Sequence, residues 1–127
     1  MPSHIHMILK PEDGTIGDVL RDFGSYTAHA ILHELRRDKM HDLLLFFHEQ
    51  RRDARHEHSI WQAIQAKNIY SHTFLSQKMD YIHSNPVSKK WKLVNDQAEY
   101  KYSSACFYDR GIIPIIPITD INEWLMV

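Results

Sequence analysis

His4-Ile5-His6-Met7-Ile8-Leu9-Lys10 alternates as a β-strand does, with Ile5, Met7 and Leu9 on one side and His4, His6 and Ile8 on the other. Read as a strand, it projects two imidazoles from one face.

Pro11, Asp13 and Gly14 are turn residues, and Thr15 is placed to cap the next helix, with Asp18 at its third position. Ile16, Val19, Leu20, Phe23, Thr27, Ala30, Ile31 and Leu35 keep helical spacing, which predicts a long amphipathic helix over 16–37. Gly17 and Gly24 fall along one edge of it, where close packing can justify their low propensity. Met40, Leu43, Leu44 and Phe47 repeat the spacing in a second helix that fades into a charged loop through His56-Glu57-His58. Ser59 to Ile64 is expected to form a short strand around Trp61. Ser71 or Thr73 caps a helix that runs to Asn85, where Pro86 stops it. Leu75, Met79 and Ile82 form its apolar stripe, and Phe74, Lys78, Tyr81 and Asn85 share the adjoining face. The apolar tail Ile112-Ile113-Pro114-Ile115-Ile116-Pro117-Ile118 is barred from the middle of a sheet by its two prolines, leaving an edge strand or a packed arm.

The 127 residues, 43% hydrophobic and 24% charged, describe an ordinary globular chain of single-domain size and exclude disorder, collagen and a disulfide scaffold. A formal charge of -1 excludes a global positive field, so a nucleic-acid partner has to be held by local clusters. Arg36-Arg37 with Lys39, Arg51-Arg52 with Arg55, and Lys89-Lys90 with Lys92 are such clusters, and Trp91 lies inside the last. They can hold phosphates while an aromatic ring stacks an unpaired base, or stand as plain solvated surface. The single Cys106 excludes an internal disulfide, and no apolar run approaches a membrane span. A cytoplasmic, non-membrane protein is expected.

The ten histidines carry the chemical signal. His4 and His6, two apart on a strand, can share one cation through their ring nitrogens. His56/His58 lies in a polar loop, and His29/His33 on the polar side of the first helix without a third ligand. Tyr81 and Asn85 are one helical turn apart. One reading makes them a core phenol and a helix stop. The other lets the Asn85 oxygen complete a metal site with His4 and His6, with Tyr81 beside it as a nucleophile.

The wording of these blocks bears on the choice. Met1-Pro2-Ser3-His4-Ile5-His6 resembles the Met-Pro-Asn-His-hydrophobic-His signature of the HUH single-tyrosine transposases, in their REP-associated branch. Lys78-Met79-Asp80-Tyr81-Ile82-His83-Ser84-Asn85-Pro86-Val87 is similar to that branch's Lys-x-x-Tyr-Ile-x-x-Asn-Pro-Val block, and Tyr100-Lys101-Tyr102-Ser103-Ser104-Ala105 to its Tyr-x-x-Ser-Ser segment. Trp61-Gln62 falls where the family often has Trp-Gln, while Ser3 replaces its usual Asn.

The resemblance implies an α+β fold, a ferredoxin-like (RRM-like) sheet with helices on one face, here without its first strand and helix. It implies one transposase-like domain over 1–110 and a homodimer or monomer, while the apolar tail over 111–127 carries no feature of the family. It further implies a mobile-element enzyme of DNA transposition and recombination, cutting and rejoining single-stranded DNA near REP-like hairpins. Position by position, Tyr81 matches the catalytic nucleophile, and His4, His6 and Asn85 match the ligands of a divalent Mg²⁺ or Mn²⁺. Lys78, Arg36, Arg37, Arg51, Arg52, Lys89 and Lys90 are candidate phosphate contacts. The alternative expectation is a truncated, inactive relic that at most binds hairpin DNA.

Overall fold

The computed structural model of the chain describes residues 1–51, 53–55 and 57–125. Among the described residues, helices α1 (Ile16–Arg37), α2 (His41–Glu49), α3 (His72–Ser84), α4 (Ala105–Arg110) and α5 (Ile121–Leu125) are supplemented by 3₁₀ turns at Asn85–Val87 and Gln97–Glu99. No strand occurs among them. The expected α+β, ferredoxin-like sheet is therefore overturned, and with it the strands at His4–Lys10 and Ser59–Ile64. Alternation reports which way side chains point and says nothing of a partner, whereas a sheet exists only where a second segment takes up the backbone N–H and C=O groups. Among the described residues, no backbone-to-backbone hydrogen bond reaches residues 4–10 or 60–70.

The chain divides into two compact units, one of Ile8–Ala66 and one of Met1–Met7 with Lys67–Val127. In the first, α1 starts at a complete capping box. The Thr15 hydroxyl accepts from the Asp18 N–H at 3.2 Å, and the Asp18 carboxylate accepts from the Thr15 N–H at 3.1 Å. Those bonds, together with Arg21, hold the Asp18 carboxyl below the usual carboxylate range. α1 ends in a Schellman motif, with the Met40 N–H on the Leu35 carbonyl, the Lys39 N–H on that of Arg36, and Lys39 itself left-handed at φ 56. α2 packs on α1.

Trp61 is held by its side chain where a strand was expected. Its indole N–H donates to the Thr27 hydroxyl at 3.0 Å, and its ring lies 5.9 Å from that of Phe23. Gly24 faces the same ring, although a methyl there would stand an ordinary 3.9 Å from it. In the charged loop His58 is buried against His48, their rings 5.8 Å apart, and is not part of a solvated run; His56 lies outside the described residues.

In the second unit, Ser71 caps α3 by accepting from the Phe74 N–H at 3.1 Å. The inner face of α3 carries Leu75 and His83, and Pro86 is wholly buried in the 3₁₀ turn that ends the helix. Asn85, Ala98, Ala105, Cys106 and Ile121 complete the buried set among the described residues. Asp96 ties the second 3₁₀ turn to α4. It accepts from the Ala98 N–H at 2.8 Å and from Arg110 at 2.7 Å, and these bonds keep its carboxyl below the usual range. The isoleucine tail forms no strand and is largely exposed. It leads to α5, where the Ile121 N–H donates to the Tyr108 hydroxyl at 3.0 Å. Among the described residues, no helix is long and apolar enough to cross a membrane.

Candidate functional site

The buried inner face of α3 fixes how its opposite face is presented. With Leu75 and His83 turned inward, Phe74, Lys78 and Tyr81 come to the surface at helical spacing. Tyr81 is 56% exposed, which removes it from the core and leaves its phenol accessible. Asn85, at the start of the 3₁₀ turn, is buried at 9% exposure.

The N-terminal segment belongs to the same unit as α3. The Asn85 Nδ2 stands 3.5 Å from the His6 Nε2, and the His6 ring lies edge-on to Tyr81 at 5.5 Å. His4 meets His6 at 4.7 Å between ring centroids and Trp91 at 5.5 Å. Thus His4, His6, Tyr81 and Asn85 are brought together. Trp91 is delivered by a tight turn in which its N–H and that of Lys92 reach back to the Ser88 carbonyl, with Lys92 left-handed at φ 44.

The electrostatics favour neutral ligands. Partial burial, the neighbouring His4 and the chain's amino group together push the His6 imidazole below its ordinary value. Ser3 Oγ lies 3.1 Å from His4 Nδ1. When Nδ1 donates that bond, the His4 Nε2 keeps its lone pair, the arrangement usual behind a metal-bound histidine. Half a turn of the Asn85 amide presents Oδ1 where Nδ2 now stands. Two imidazoles and one amide oxygen favour Mn²⁺ over Mg²⁺, which prefers oxygen ligands, with phosphate oxygens able to complete the shell of either. Among the described residues no three His, Cys, Asp or Glu side chains form a metal-holding group, so any ion here rests on that mixed set.

The cationic candidates separate. Lys78 Nζ sits 5.9 Å from the centre of the Tyr81 ring, and Lys90 Nζ 5.2 Å from that of Trp91. Lys89 is exposed. In the Ile8–Ala66 unit, Arg36 pairs with Glu57, Arg37 with Glu34 and Asp38, and Arg51 lies 3.3 Å from the His48 Nδ1. Arg52 lies outside the described residues. His29 is committed to the Ser25 carbonyl at 2.8 Å and His33 to Glu34.

Sequence reasoning missed Tyr70, whose ring stacks on Phe74 with planes 7° apart and centroids at 5.1 Å. It lies outside the helix, just before the Ser71 cap, so the helical spacing of 74, 78 and 81 does not reach it. Comparison with known proteins finds no matching family model, and no curated protein or solved structure that matches significantly.

Proposed function

We propose that this chain is a metal-dependent DNA strand-transferase of the HUH single-tyrosine kind, acting on single-stranded DNA beside hairpins. One observation carries the reading: His6 and Asn85, 79 positions apart, approach to 3.5 Å beside the exposed Tyr81. His4, His6 and Asn85 would hold the divalent ion, which when bound supplies Lewis-acid polarisation of the scissile phosphate.

The Tyr81 phenol oxygen attacks phosphorus and the 3′-oxygen departs, leaving a 5′-phosphotyrosyl bond and a 3′-hydroxyl, while the phenolic proton passes to solvent and the departing 3′-oxygen takes one up from it. Lys78, beside the ring, meets the charge on the phosphate oxygens. One phosphodiester replaces another, so a second 3′-hydroxyl can reverse the step and join strands.

The test is incubation with single-stranded hairpin DNA and Mn²⁺ or Mg²⁺, followed by denaturing electrophoresis. A shifted protein–DNA band is expected with the native chain and not with Tyr81→Phe. No Tyr81-dependent band at any metal concentration overturns the catalytic reading. Binding without cutting is the second reading, favoured by the lack of any ladder holding residues 4–10. Hairpin binding that persists with no adduct would establish it.

A further inference from the structure

We propose that Tyr70 and Phe74 form a stacking platform for one unpaired nucleobase, with Lys78 holding the adjoining phosphate, so that a single strand of DNA is led along α3 to Tyr81. The proposal rests on the DNA-directed reading above and adds a contact that the reading does not need.

Phe74, Lys78 and Tyr81 follow one another at intervals of four and three on one face of α3, and Tyr70, just before the Ser71 cap, lays its ring on Phe74 at the head of that face. The Tyr70 ring lies parallel to Phe74 and is 82% exposed, so its outer π-face is open. Lys78 Nζ lies 5.0 Å from the Phe74 centroid and 5.9 Å from the Tyr81 centroid, a single cation between the platform and the candidate nucleophile. Phe74 is half-buried, and the exposed Tyr70 stacked on it adds little to a core. Two π-faces followed by a cation match the alternation of base and phosphate in a single strand, and a duplex, with its bases already stacked, offers no such face. Trp91 with Lys90 repeats the pairing on the His4 side of the same cluster.

The experiment uses the full chain and single-stranded oligonucleotides carrying 2-aminopurine at successive positions. Quenching is expected at one position with the native protein and with Tyr70→Phe, and lost with Tyr70→Ala and Tyr70→Leu. Affinity of the two non-aromatic variants should fall roughly 5- to 150-fold, the range for losing one base–aromatic stack. Helical circular dichroism and Tm, measured on each variant, should stay at native values.

Tyr81→Phe separates the platform from the chemistry: it should abolish the covalent adduct and leave the quench intact. If no adduct forms with any protein but binding still requires an aromatic ring at position 70, the platform stands and the strand-transferase reading falls. If Tyr70→Ala or Tyr70→Leu binds as the native chain does, or the native chain binds no single-stranded DNA, the platform is overturned, whatever the adduct assay gives.

Discussion

Asn85 lies 79 positions after His6, yet its amide nitrogen stands 3.5 Å from the imidazole Nε2. The pair joins the N-terminal segment to the end of α3, and Asn85 is the buried member. Removing either donor should weaken Mn²⁺ binding beyond detection at millimolar metal. Ser3→Ala should cost about tenfold, the lower end for an outer-shell partner, because Ser3 is exposed. Free Mn²⁺ measured by electron paramagnetic resonance checks both, and unchanged affinity in Asn85→Leu removes the metal assignment.

Thr27 is the polar anchor of Trp61. Its hydroxyl donates to the Phe23 carbonyl at 2.7 Å and accepts the indole N–H at 3.0 Å. Thr27→Val keeps the shape but leaves that N–H without its acceptor, which should destabilise by about 1–2 kcal/mol. Urea unfolding followed by tryptophan fluorescence measures it. Gly24→Ala one turn away has room for its methyl and serves as the opposite control: it should stabilise by roughly 0.5–1 kcal/mol through helix propensity.

The first three helices were legible because their signals are local. Thr15 with Asp18 and Ser71 before Phe74 are caps written within four residues. The sheet was not, because Ile5, Met7 and Leu9 alternate equally well in a segment that, among the described residues, no backbone hydrogen bond reaches. That Tyr81 and Asn85 lie one helical turn apart was readable from spacing alone. That His4 meets Trp91 was not, since it depends on a turn closed by Lys92 in a left-handed conformation that a lysine does not advertise. The core partner of His83 was hidden for a similar reason, because Ser104 becomes its neighbour only through the packing of α3 against the later turns.

His83 makes stability pH-dependent. It is 5% exposed, its Nε2 lies 2.9 Å from the Ser104 hydroxyl, and its ring is 5.6 Å from that of Tyr108. Burial pushes its pKa down against the smaller opposing pull of Asp109 and Asp80. The unfolded chain therefore takes up the proton first, near the ordinary value of about 6.5, and the folded chain only at lower pH. Its contribution is fully present above that value, declines as the pH falls, and levels off below the folded pKa. Urea midpoints at pH 7.5, 6.5 and 5.5 should fall in that order, and His83→Gln should flatten the part of the slope that His83 supplies. An unchanged slope in the variant assigns the dependence to other groups.

Lys39 occupies a position that favours glycine. It follows the C-cap Asp38 of α1 at φ 56, and its N–H and that of Met40 close the two bonds of the Schellman motif. A side chain there meets the steric cost of the left-handed region, of order 1–2 kcal/mol, which glycine does not. Glycine gives back part of this through the greater freedom of the unfolded chain. Lys39→Gly should therefore leave a net gain of about 0.5–1 kcal/mol, seen as a raised Tm at unchanged helix content. Lys39→Val, β-branched at the same φ, should lose stability, because its side chain crowds the backbone further. If the glycine and valine variants melt together, the left-handed turn is not what ends α1 in solution.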